Sequence, residues 1–311
     1  MEPVKSKDEQ QFWRRHLIWM VLFIIAFGII YKTIDNKNLW LWYAVVYTAA
    51  VLVMGTYVIF KRKDRSIRLR TASLMFFQLF LYFLFHRFYV SKELGKAAGY
   101  PWPLNITSLY PHRPDWVLAY VVILTFIILP ILTYFYGRRA YCGWICSCGA
   151  IAETLGDPFR KRAPKGKMAN KLEIGMYTVL LIATITTVYV WLGGRALHFL
   201  YASIVSFYIA GILAMGIYPF MGGRIWCRYF CPTAAILGAI SKRGKFAVTG
   251  DFDKCIKCGI CTQNCQMGID IRSLISSGKK VKNDQCVGCG ICVSLCPVKI
   301  LWFEGGLTRR N

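Results

Sequence analysis

Eight cysteines near the C-terminal end are spaced Cys255-x2-Cys258-x2-Cys261-x3-Cys265 and Cys286-x2-Cys289-x2-Cys292-x3-Cys296-Pro297. Thiolates at that spacing bind cubane iron–sulfur clusters, and in tandem runs the fourth cysteine of each run ligates the other cluster. The pattern predicts one [4Fe–4S] cluster on Cys255, Cys258, Cys261 and Cys296, and a second on Cys286, Cys289, Cys292 and Cys265. Gly259, Gly288 and Gly290 allow the tight backbone approach that wrapping a cluster corner requires. Zinc knuckles would instead need four ligands in two pairs, not two sets of three plus one. Gln266 follows Cys265 where a proline commonly stands, which alters a turn and not a ligand.

Four further cysteines belong to an internal repeat at an offset of 85 residues. Arg139-Ala140-Tyr141-Cys142-Gly143-Trp144-Ile145-Cys146 matches Arg224-Ile225-Trp226-Cys227-Arg228-Tyr229-Phe230-Cys231, and Ala150-Ile151 matches Ala235-Ile236. A cysteine pair four apart shares one face of a helix. Cys142, Cys146, Cys227 and Cys231 are therefore candidate ligands of a third cluster between two facing halves. A four-thiolate cluster is anionic, and Arg138, Arg139, Arg224 and Arg228 stand close in sequence to offset it. Free cysteine is also a common small buried hydrophobe. The repetition and the flanking arginines favour the metal. Cys148 aligns with Thr233 and has no cysteine counterpart.

The elements that must position these residues are membrane helices. Of 311 residues, 56% are hydrophobic and 17% charged, against about 45–50% and about 25% in an ordinary soluble domain. The apolar residues lie in six segments, near 17–31, 40–60, 71–90, 116–136, 172–192 and 199–221, each near spanning length. That excludes a disordered chain and a soluble globule, and thirteen cysteines in so apolar a chain do not make a secreted disulfide scaffold. No small-x-small cleavage site follows 17–31, so it reads as a helix and not a leader.

The net charge of +24 sits in blocks between apolar segments, not on an aromatic-rich soluble face, which argues against nucleic acid as a partner. Those blocks orient the chain. The N-terminus, the 61–70 loop, the 137–171 loop and everything after 222 carry 32 Lys or Arg, and the alternate loops 7. Both termini are expected on the cytoplasmic side of a bacterial or archaeal inner membrane. The expected fold is an all-α polytopic membrane protein with a C-terminal ferredoxin-like domain of the bacterial two-cluster type. Its expected parts are a cytoplasmic N-terminus (1–16), a six-helix domain (17–223), the second cysteine pair and a linker (224–249), the ferredoxin-like domain (250–303) and a tail (304–311).

The paired Cys-x3-Cys motifs after membrane helices, followed by a tandem ferredoxin domain, resemble the NapH/NosR/CcoG-type membrane polyferredoxins. The resemblance covers about 70–303 and is closest in outline to NapH, with neither a NosR-like periplasmic flavin-binding domain nor a CcoG-like C-terminal addition. The family's motif is Cys-x3-Cys-Pro; Cys231-Pro232 conforms, and Ser147 replaces the proline after Cys146. NapH-like members imply oxidation of membrane quinol and delivery of electrons to a partner redox protein or complex. CcoG-like members imply copper reduction during oxidase assembly, and soft thiolates suit Cu(I). The leading expectation is thus an electron-transfer subunit of a quinol-dependent oxidoreductase, with lipid, quinone and a redox protein as partners.

Quinone leaves no sharp motif. Imidazole can accept a quinol proton or ligate haem iron, so His86, His112 and His198, all on the expected outer face, are candidates for either; His16 maps to the inner side. Histidines at membrane ends are also ordinary interfacial residues. No two histidines share a helix at haem-ligating spacing, which argues against haem.

Overall fold

The computed structural model describes residues 36–89, 100–111, 114–194, 196–201, 204–205, 209–210 and 216–305. The described part of a first unit, ending at Ala50, is the opening of helix α1 (Asn36–Lys61), where the Tyr43 and Tyr47 rings lie 5.9 Å apart one turn from each other. Apart from the start of the first apolar stretch, everything below concerns the second unit, from Val51 onward.

Four helical stretches are long and apolar enough to cross a membrane: Leu41–Lys61, Arg65–Leu84, Asp115–Tyr136 and Ala169–Trp191. Their apolar side chains point outward as well as inward, with Val53, Phe60, Phe76, Ile131, Leu181 and Ile185 all exposed, as expected of helices bathed in hydrocarbon. The expected segment 17–31 lies outside the described residues, and 199–221 lies there in part. One boundary differs from expectation. The expected basic loop 61–70 is shorter, confined to 62–64, because helix α2 (Arg65–Phe77) begins within the stretch and runs on in π-helical form over Gln78–Tyr89. Arginine and leucine are good helix formers, so Arg65, Arg68 and Arg70 lie in the first turns of α2, while Arg62 and Lys63 lie in the break before it.

The third stretch consists of α3 (Asp115–Ile123), a π-turn at Leu124–Ile128 and α4 (Leu129–Tyr136). Pro130 cannot donate to the carbonyl four residues back, and the helix widens just ahead of it. A π-turn at Arg139–Gly143 then leads into α5 (Ser147–Thr154). A 3-10 segment (Asp157–Arg162) and short α6 (Lys167–Lys171) connect it to α7 (Ile174–Trp191). After α8 (Ala196–Tyr201) and α9 (Tyr218–Met221), the second repeat has the same form as the first: a π-turn at Trp226–Phe230 followed by α10 (Pro232–Arg243). Helix α10 packs against α4 and α7, and α5 packs against α2.

The tail is a small module. Strand β1 (Ala247–Gly250) pairs antiparallel with β2 (Leu301–Glu304), Val248 opposite Phe303. Between them lie α11 (Ile260–Gln263), α12 (Ile271–Ser276) and α13 (Ile291–Ser294). Gly259 and Gly290, at φ 79° and 82°, sit immediately before α11 and α13 in a conformation that a side chain would strain. Val248, Met267, Ile271, Ile275, Val281 and Val287 form its core, continuous with Leu237 of α10 and Cys142.

Candidate functional site

The paired cysteines do not share a helix face. Cys142 and Cys227 lie in the two π-turns, whereas Cys146 and Cys231 are the N-caps of α5 and α10, with extended backbone (ψ 128° and 114°). The turn between the members of each pair breaks the helix. An N-cap position turns free N–H groups toward the side chain: those of Cys148 and Gly149 favour the Cys146 thiolate and that of Ala234 the Cys231 thiolate, without a formal capping hydrogen bond at either sulfur. Pro232 takes the first helical position of α10, where its missing donor costs nothing. Ser147 fills the same place in α5, and its hydroxyl donates to Gln78 Oε1 at 2.6 Å.

All four thiols are buried. Cys142, Cys146, Cys227 and Cys231 lie within electrostatic reach of one another. Cys148, without counterpart in the repeat, is in the same group: its thiol donates to Cys146 and packs against both halves. Burial pushes the Cys142 thiol up to about 11, against the pull of Arg138. Burial likewise raises Cys227 and Cys231. Thiolates here need a further positive charge, which a metal centre supplies.

The flanking arginines divide their work. Arg224 Nη1 lies 3.9 Å from Cys227 Sγ, its Nε donates to Gln266 Oε1 at 3.2 Å, and its Nη2 pairs with Glu153. Arg138 donates to the Cys227 carbonyl (3.1 Å), the Asp284 carbonyl (2.7 Å) and Gln285 Oε1 (3.2 Å). Arg228 turns away to Glu173 (2.8 Å) and the Pro164 carbonyl (2.6 Å), and the Arg139 guanidinium stacks 4.6 Å from the Phe303 ring. Sequence reading missed the centre of this network. Glu153, fully buried on α5, receives Arg70 at 2.7 Å and pairs also with Arg160 and Arg224, while Asp157 holds Arg160 and Arg62. Burial alone would raise the Glu153 carboxyl; Arg160, Arg70 and Arg224 outweigh it and hold it well below the usual carboxylate range.

In the tail, the two quartets expected from spacing are each brought together. Cys255, Cys258, Cys261 and Cys296 line one pocket at the protein surface. Cys265 lies within electrostatic reach of Cys286, Cys289 and Cys292. Burial pushes Cys286 up to about 12 and Cys265 up to about 11. This second quartet faces the helix-end cysteines: a Cβ on Gly143 would stand 3.2 Å from the Val287 carbonyl. Arg138 and Arg224 bridge the interval, each holding a glutamine next to a tail cysteine. Among the described residues, no three His, Cys, Asp or Glu side chains gather as a single metal ion would require. The donor set is all thiol, the kind that holds iron–sulfur clusters.

Of the histidines, only His198 has a described side chain among the outer-face candidates. It is half-buried on α8, 5.0 Å from the Tyr110 ring, and its buried Nδ1 has no hydrogen-bond partner among the described residues. The His86 side chain, His112 and His16 lie outside what is described.

Comparison with known proteins agrees with this chemistry. A family described as "4Fe-4S binding domain" matches residues 118–166 and 204–249, each segment enclosing one helix-end cysteine pair. A "4Fe-4S dicluster domain" family matches 254–301. YccM of Escherichia coli K12, named for electron transport, is 26% identical over 177 residues, 50% of this chain and 48% of that protein. An uncharacterized protein of Methanocaldococcus jannaschii is 26% identical over 211 residues, 63% of this chain and 81% of its own. The ferredoxin-type protein NapH of E. coli K12 is 25% identical over 154 residues, 45% of this chain and 51% of NapH. The matches thus span about half the length of YccM and of NapH. No solved structure matches. With iron–sulfur domains in tandem, helices able to cross a membrane and relatives of this kind, the chain is similar to the NapH/NosR-type polyferredoxins.

Proposed function

We propose that this protein is a membrane electron-transfer subunit that carries electrons between the quinone pool and a partner redox protein. Three [4Fe–4S] centres would be held by Cys142, Cys146, Cys227 and Cys231; by Cys265, Cys286, Cys289 and Cys292; and by Cys255, Cys258, Cys261 and Cys296. Bound clusters of this type supply one-electron transfer, converting the two-electron chemistry of quinol into single steps. The supporting observation is the grouping of the thiols: three sets, the middle one set against the first through Arg138 and Arg224. Cysteines of the first set cap helix N-termini, where thiolate is favoured. Arg224 and Arg138 place fixed positive charge between the first two sets. In this reading the tail and both termini are cytoplasmic, and His198, its Nδ1 without a partner among the described residues, is the candidate to take a quinol proton.

Anaerobic iron and sulfide analysis tests the scheme, together with reduction by a short-chain quinol. About twelve irons per chain are expected, four per cluster, with the quinol bleaching cluster absorbance. A count near eight removes the first set from the scheme. Zinc in place of iron, or Cu(I) retention with no response to quinol, overturns it.

A further inference from the structure

The two cysteine runs of the tail are related by 31 positions, Cys255 corresponding to Cys286 and Cys265 to Cys296. Each backbone position in one run therefore has an equivalent in the other. Three equivalent pairs lie in the left-handed region: Gly259 with Gly290 has glycine on both sides, whereas Lys257 (φ 54°) pairs with Gly288 (φ 56°), and Gly268 (φ 66°) with Lys299 (φ 49°). Gly288 and Gly268 face the helix-end motifs. A Cβ on Gly288 would fall 2.9 Å from Arg139 Cβ; one on Gly268 would fall 2.2 Å from Arg228 Nη1 and 2.4 Å from the Pro164 carbonyl. Side chains do not fit there. At the opposite pole the same two conformations are occupied by exposed lysines, although glycine would adopt them without the steric cost.

The neighbouring residues follow the same division. Val287 and Met267 are 2% exposed at the covered pole, and their equivalents Ile256 and Val298 are 60% and 40% exposed at the other. One pole of a pseudo-symmetric module is covered by the chain's own helix ends. The other presents the equivalent apolar surface uncovered, with two added cations, above the pocket of Cys255, Cys258, Cys261 and Cys296.

We propose that this outer pole, Ile256, Lys257, Val298 and Lys299, is the docking surface for a soluble electron carrier with an acidic patch, seated over Cys258. The proposal rests on the electron-transfer reading above and names the kind of partner. An apolar centre with charged neighbours is how transient interfaces combine contact with steering. Lysines kept in a strained conformation specify a negative partner. A second copy of this chain, itself at +24, is repelled. In the transfer step one electron leaves a reduced cluster and arrives on the oxidised carrier, with no bond made or broken.

The test uses the full-length protein in nanodiscs of neutral phosphatidylcholine, its clusters reduced with dithionite so that quinol plays no part. Oxidised cytochrome b5, an acidic haem protein, and cytochrome c, a basic one, are the probes, followed by haem absorbance. The double variant Lys257→Gly, Lys299→Gly carries the glycines that the covered pole uses, and its iron content checks that it folds. It is expected to reduce cytochrome b5 about tenfold more slowly at low ionic strength. The gap should close at high salt, and reduction of cytochrome c should not slow. Lys282→Gln, an exposed lysine elsewhere on the tail, should leave both rates alone. Equal cytochrome b5 rates for wild type and double variant, or an equal loss in Lys282→Gln, overturn the proposal. So does suppression of the wild-type rate alone by anionic phosphatidylglycerol nanodiscs, which assigns the lysines to lipid. Clusters that dithionite reduces but quinol does not would refute the quinone reading and leave this result standing.

Discussion

The cysteines at the helix ends and those at the outer pole of the tail are the same ligand in opposite surroundings. Cys142, Cys146, Cys227 and Cys231 are buried beside arginines, whereas Cys258 is exposed and its pocket opens at the surface. Water screens charge at the outer site. At the inner site the protein must supply every counter-charge itself, and each arginine it buries then needs its own partner. Glu153 answers that need, tying Arg70, Arg160 and Arg224 to one carboxylate. Burial at the first site therefore makes the ion network a condition of folding. The outer site has no such requirement.

Glu153→Gln attacks this difference most directly. Removing one partner of a buried ionic group costs about 3–5 kcal/mol, so the variant is expected to lose most of its folded protein, measured as detergent-extracted material with a cooperative thermal transition. The same carboxylate sets a pH dependence. Because its folded pKa is depressed, the stability it contributes is full above the unfolded carboxylate pKa and is lost as pH falls through the folded value. The thermal midpoint should thus show no loss from this network between pH 7 and pH 5.

Cys231→Ser should remove about four irons and leave the tail clusters in place, whereas Cys148→Ser should keep the wild-type count, since a serine hydroxyl can donate to Cys146 as the thiol does. Loss of iron from Cys148→Ser but not from Cys146→Ser would show that the fifth thiol is a ligand and Cys146 is not. The two poles of the tail should respond in opposite ways to exchange of the same residue types. Gly268→Ala puts a methyl against Arg228 and the Pro164 carbonyl and should destabilise by about 1–3 kcal/mol, while Lys299→Gly should change the thermal midpoint little. Smallest of all, Lys280→Ala breaks an exposed pair with Glu304 and should stay within about 0.5 kcal/mol.

Much of the chemistry was legible because cysteine spacing is local information. The grouping of Cys265 with the later run and of Cys296 with the earlier one follows from the x2, x2, x3 pattern alone. The repeat of Arg139–Cys146 at Arg224–Cys231 marked the helix-end motifs before any fold was known. The conformation of each pair was not legible. A four-residue interval fits a helix face and equally fits a π-turn followed by an N-cap, and only Pro232 hinted at the second. Glu153 was invisible for another reason: its partners come from 83, 7 and 71 positions away, and a lone carboxylate in a short helix announces none of them. Gln266 was read only as the residue after Cys265 and Gln285 carried no signal, although both receive the arginines that join tail to helix ends.

Arginines 70, 138, 160, 224 and 228 are all buried. They contribute to the formal charge of +24, but a dissolved ion never meets them. The folded protein should therefore elute from a cation exchanger at lower salt than its composition implies, and later once unfolded. Chromatographic retention becomes a gauge of whether those guanidiniums have gone inside, readable on intact protein without any spectroscopic signal from iron.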